Sequence, residues 1–360
     1  MTGRERAIRA MNFERTDRLA IMANGVFPGF VQWLLGIGEE DYWNSQQAWH
    51  YEAMRQLGQD FHIQMWLPRR EPKDKWVDGN NPDWTEDAII ADIEKRTKDN
   101  REAADQLTRD REGRIDRIMS YQNRVQAEMG DEILWVFGMD GSGPAICYIP
   151  YEWYGYEGFF TVLATDPELV AGLVAAQAEH ARVHNECVSE AARRLEWPRI
   201  GYCGQDLTTQ RGNMVNPKVM DKIYYPHLEH ALAPLIDDGF KIIWHSDGNM
   251  NDMLQPLIDI GVAGFQGFQE ECGTLIKDVA SLRNRNGDPL ILWGSCSVID
   301  VLRCGTFGDI GREVQRVLEE WPHPGLCLAT SSVISEDVPY ENVVEFYRCC
   351  REMGRGGRSF

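Results

Sequence analysis

The sequence predicts an α/β protein folded as one (β/α)8 barrel of TIM type, a single domain over residues 1–360. Three observations predict it. From residue 199 onward, short apolar runs alternate in register with amphipathic helical stretches. Strand-like runs upstream bring the count to about eight, the number a parallel barrel needs. The segments that follow strands four to eight are all polar: Gly204–Gly212, His245–Asn249, Gln269–Cys272, Trp293–Ser297 and Thr330–Ser332. Any one of these is an ordinary turn. Five at equivalent positions form a polar rim over an apolar barrel, where such folds carry their chemistry.

In chain order, Thr2-Gly-Arg-Glu5 has the form of a capping box and opens an N-terminal helical extension to about Met11. The first strand reads Arg18–Ala23 and ends in an Asn24-Gly25 turn. Phe61–Trp66 and Ile133–Phe137 read as strands two and three. Between them, the polar and charged stretch 68–115 reads as an insertion over the barrel mouth or side, partly mobile. A long amphipathic helix spans 166–195, with Pro167 at its first position. The later strands are Arg199–Cys203, Lys241–His245, Val262–Gln266, Leu290–Gly294 and Leu326–Ala329. Helices fill the gaps at Pro217–Asp238, Met250–Ile260, Leu275–Arg285, Ile299–Arg303 with Ile310–Glu320, and Pro339–Met353. The alternative is an open doubly wound sheet. No GxGxxG follows the first strand, which argues against its dinucleotide-binding version.

The formal net charge of −19 is spread along the chain. Such a surface repels phosphate backbones and anionic headgroups, so neither nucleic acid nor membrane is an expected partner. It would attract a basic patch, or serve solubility alone. Nine cysteines without a CxxC spacing, behind an N-terminus with no apolar leader, read as reduced thiols of a cytoplasmic protein. No run approaches the length of a membrane span.

His245 and Asp247 stand i, i+2 at a strand end and so point to one side. Imidazole and carboxylate at that spacing can bind a divalent metal or form an acid–base pair; they can also merely close the barrel top by a hydrogen bond. Glu271 is the expected third ligand, with Glu270, Cys296 and Ser332 as further candidates. Asp206, in an uncrowded loop, is a candidate general base or an ion-pair partner of Arg211. Arg211 is suited to clamp a carboxylate or phosphate. Gln269, Trp293 and Tyr154 join it as candidate substrate contacts. The aromatic loop from Tyr148 to Phe160 would stack on a flat ligand, or act as a lid or as the contact of a homodimer.

The opening TGRERAIRAMNFERTDRLAI resembles the entry helix and first strand of uroporphyrinogen decarboxylase-like proteins. GQDLTTQRGNMVNPKVMDKIYYPHLEHAL, KIIWHSDGNMNDMLQPLIDIGVAGFQGFQ and ATSSVISEDVPYENVVEFY resemble the strand-four loop with its helix, strands five and six, and the last strand and helix. The likeness runs end to end apart from 68–115. It implies one of two chemistries. True uroporphyrinogen decarboxylases grip an octacarboxylate through an arginine-bearing first loop, whereas NGVFPGFVQWLLG has no arginine, which excludes that substrate. The other branch transfers methyl groups with corrinoid proteins, and binds zinc through a His-x-Cys pair and a distant Cys. Here His245 is kept, Asp247 stands at the first Cys position and Ser332 near the second. The expected site is oxygen-rich, which would suit an alcohol, ether or carboxylate better than a thiol. The expectation is a methyltransferase acting on a small methylated compound such as an O-methyl ether. Zn2+ would be its metal, and the corrinoid would come from a partner protein. The alternatives are a decarboxylase or related lyase acting on a small non-porphyrin acid, and a barrel retained for ligand binding.

Overall fold

A computed structural model describes residues 1–22, 25–63, 67, 70 and 84–355. Eight short parallel strands follow one another: β1 Ala20–Ile21, β2 Phe61–His62, β3 Leu134–Trp135, β4 Ile200–Gly204, β5 Lys241–His245, β6 Gly264–Gln266, β7 Ile291–Trp293 and β8 Leu326–Leu328. Six of them form one parallel sheet in the order β1-β8-β7-β6-β5-β4, and β2 pairs with β3 separately. The expected eight-stranded ladder is therefore not continuous among the described residues. Isolated backbone contacts join the β2–β3 pair to the two edges of the sheet. Asp60 N donates to Ile21 O at 2.8 Å, and Tyr202 N to Phe137 O at 2.8 Å. Past β3 the chain folds back on the strand end. A Cβ at Gly143 would lie 2.3 Å from Gly138 O.

Successive strand residues point to opposite faces. One face gathers Met22, Phe61, Val136, Tyr202, Ile243 and Trp293 in a cluster capped by Ala7, Ala10 and Met11 of the first helix, Gly3–Met11. The other face sends Cys203, Trp244, Phe265 and Leu292 against the surrounding helices. Lys241 fastens the end of the first helix, its ammonium donating to Met11 O and to Asn12 Oδ1 at 2.7 Å.

The helix Pro167–Arg194 starts where its sequence says it should: Asp166 accepts from Leu169 N at 3.0 Å and Pro167 opens the first turn. Other expectations need correction. Within 68–115, residues 68–69 and 71–83 lie outside the described residues. Beyond them the chain is helix, not loop, over Glu86–Arg109 and Arg111–Met129. The charges there include i,i+4 pairs such as Arg96–Asp92 and Lys98–Glu102, which support a helix. The expected helix Pro217–Asp238 is two, Pro217–Ile223 and Tyr225–Asp237, because Pro226 has no N–H to continue the first. The expected helix Leu275–Arg285 is only Ile276–Val279. Downstream, Asn284 Oδ1 accepts from Asn286 N and Asp288 N, an Asx turn that competes with helix. The ends of strands one and two, Ala23 and 64–66, and Asn24 of the predicted turn, lie outside the described residues. No single helix among the described residues is long and apolar enough to cross a membrane. All nine cysteines are free thiols, seven of them buried.

Candidate functional site

His245 closes β5 on the face that carries Ile243, and Asp247 follows two residues on. The β4 loop brings Asp206 to them. Asp206, His245 and Asp247 each offer one ligand atom, and the three atoms lie within 4.8 Å of one another. The β4 and β5 backbones approach closely here: a Cβ at Gly204 would lie 2.1 Å from His245 O. Asp206 Oδ1 accepts from Asp247 N at 2.7 Å and lies 3.8 Å from His245 Nε2. His245 Nδ1 lies 3.3 Å from Gln266 O. A carbonyl oxygen only accepts, so Nδ1 carries the proton of this contact, and Nε2 faces the two carboxylates.

Asp247 is the most constrained member. Its Oδ2 accepts from Ser332 Oγ at 3.1 Å, while Oδ1 is buried with no hydrogen-bond partner among the described residues. Burial pushes its carboxyl above the ordinary carboxylate value of 3.8, and the neighbouring Asp206 adds to this; His245 and Ser332 oppose it. The loop itself is held firmly. The Thr208 hydroxyl donates to Asp247 O. Tyr151 OH donates to Asp206 O at 2.5 Å, and the Gln205 amide pairs with both Ile149 N (3.0 Å) and Ile149 O (2.7 Å). One imidazole nitrogen and two carboxylates, one with an orphaned buried oxygen, are donors that suit a divalent cation with an open position. The same atoms suit an acid–base pair between His245 and Asp206.

The remaining candidates fall elsewhere. Glu271 is exposed, accepts from Ser297 Oγ at 3.4 Å and stands outside the three-residue group. Glu270 is bound by Arg316 at 2.5 Å and by Ile276 N at 2.8 Å. Cys296 is a buried thiol. Gln269 caps a short turn, Glu270–Cys272, and accepts from Cys272 Sγ at 3.6 Å. Arg211 is exposed at the tip of the hairpin Thr208–Thr209/Gly212–Asn213, with no ion pair to Asp206 among the described residues. Trp293 is fully buried, with its ring centroid 6.0 Å from that of Tyr202 and 4.9 Å from that of Phe61. Tyr154 is also core, donating to Asp92 Oδ2 at 2.8 Å and stacking on Phe159. Gln266 and Tyr202 escaped the sequence reading. The available signal was a glutamine breaking the apolar run of β6 at the position paired with His245.

No family model matches the chain, and no curated protein matches it in sequence. Its fold is similar to that of a solved structure described as a methyltransferase from Methanosarcina mazei. The TM-score is 0.65 over 98% of this chain and 99% of that one, at 17% identity. At that identity the likeness speaks for the fold, an α/β architecture around a parallel sheet.

Proposed function

We propose that this chain is a methyltransferase that moves a methyl group from a small methylated compound, such as an O-methyl ether, to a corrinoid carried by a separate protein. The eight strands act in this reading as a (β/α)8 barrel with its site at their carboxyl ends. The carrying observation is the group Asp206, His245 and Asp247, with Asp247 Oδ1 buried and unpartnered among the described residues. The shared fold with a methyltransferase and the resemblance to uroporphyrinogen decarboxylase-like proteins support the reaction class.

His245 Nε2, Asp247 Oδ1 and an Asp206 oxygen would hold a divalent cation, with Zn2+ as the candidate, and such a cation would polarise the substrate oxygen. The chain's own contribution is orientation. Gln266 O sets the tautomer of His245, Ser332 selects the free oxygen of Asp247, and the Asp247 amide aims Asp206. In the transfer, the methyl C–O bond would break with its electron pair left on the substrate oxygen, which would take a proton from solvent, and the Co(I) corrinoid of the partner would supply the electron pair that accepts the methyl group. The test is methylcobalamin formation from free cob(I)alamin with the purified chain and a panel of aryl and alkyl methyl ethers. Native protein should give a signal, and His245→Ala should lose at least about 100-fold while keeping its melting temperature. A silent native protein across the panel, or CO2 release from a small acid instead, would overturn the reading.

A further inference from the structure

Gln266 is fully buried on the face that carries Tyr202, Ile243 and Trp293, in register with His245. A buried amide gains little over an apolar residue of the same shape, and is costly if either end is left unpaired. Both ends of this one are used. Gln266 Oε1 accepts from Tyr202 OH at 3.2 Å, and Nε2 donates to Thr330 O at 3.3 Å. The peptide that follows is confined as well: Gly267 has φ +52°, and a Cβ there would lie 1.8 Å from Ser331 O. The Gln266 carbonyl therefore has one direction, toward His245 Nδ1. Tyr202, tied to the same amide, has its ring 6.1 Å from the imidazole. Thr330 is tied in turn to the far side of the site. Its hydroxyl donates to Ser332 O at 2.8 Å, and Ser332 donates to Asp247.

From this geometry we infer that Gln266 is a positioning residue: its side chain, clamped between Tyr202 on β4 and Thr330 beyond β8, fixes the carbonyl that sets the tautomer and tilt of His245. The inference rests on the reading of Asp206, His245 and Asp247 as the working site. It does not depend on which cation or substrate is used there.

The experiment uses the metal-free full chain with 15N-labelled histidine, its His245 signals assigned by their loss in His245→Gln. Native protein should show His245 with the proton on Nδ1. Gln266→Met, which keeps length and volume, should give a mixed or reversed tautomer with a melting temperature within a few degrees of native. Tyr202→Phe, which removes one hydroxyl, should act in the same direction, and the double variant should be little worse than the stronger single one. A parallel Zn2+ titration against a chromophoric chelator should show affinity about 10–100-fold weaker in both variants. An unchanged His245 tautomer in Gln266→Met overturns the inference. Should that variant not fold, an unchanged tautomer in Tyr202→Phe overturns it alone. A tautomer shift without Zn2+ binding by native protein would leave the inference standing and remove the metal reading.

Discussion

Asp247 holds a buried oxygen with no partner among the described residues, an arrangement that works against stability. An unmet buried acceptor costs about 1–3 kcal/mol, and more when charged. A residue kept for the fold should not look like this; one kept for a ligand should. Asp247→Asn, which preserves shape and removes charge, is therefore expected to leave the melting temperature unchanged or raised. Zn2+ binding should weaken by about 100-fold. A melting temperature several degrees lower would make Asp247 structural. At this scale the sequence was informative where strand parity applies: His245 and Asp247 are i, i+2 at a strand end, and they do share a side. It was uninformative about Gln266 and Trp293. Polarity at a strand end shows that a residue differs from its neighbours, but not whether it faces the open end or the filled interior. That depends on register against other strands, which no local pattern contains.

Between elements, Asp60 holds the seam where β2 meets β1. Its carboxylate is 1% exposed and accepts from Arg6 Nη1 (2.6 Å), Arg18 Nη1 (2.6 Å) and Ile21 N (2.8 Å). It thus ties the first helix, β1 and the entry to β2 together where no ladder does. Removing one partner from a buried ionic group leaves the others uncompensated, at about 3–5 kcal/mol. Asp60→Ala should lower the melting temperature by several degrees. Amide exchange should rise first at Ile21 and Asp60, and a uniform rise across all eight strands would show that the seam is not a local unit. The capped elements were the most legible in sequence, above all Pro167–Arg194. The least legible was Glu86–Arg109, because dense charge looks the same on a solvated helix and on a loop until the i,i+4 pairing is counted.

Over the whole molecule, acid should act through buried histidines, His50 and His184 among them. His50 and His184 are almost fully buried, and burial lowers both to about 4 from the ordinary 6.5. For His184 the guanidinium of Arg114, whose Nε donates to Nδ1 at 3.1 Å, adds to this. The folded state thus takes up these protons less readily than the unfolded chain. The stability each contributes is complete above pH 6.5 and is lost as pH falls toward 4, up to about 3 kcal/mol apiece. Urea midpoints should fall between pH 7 and 5, and less steeply in His184→Gln. An equal slope in that variant would count against the assignment. The architecture also bears on how the chain folds as it is made. Ala20 and Ile21 pair with Cys327 and Leu328, and Leu19 N donates to Gly354 O. Within this chain the earliest strand is thus matched to the last one. Until Leu326–Leu328 are made, that ladder edge of β1 has no mate, so a chain halted before residue 326 should stay open to proteases and chaperones along that edge.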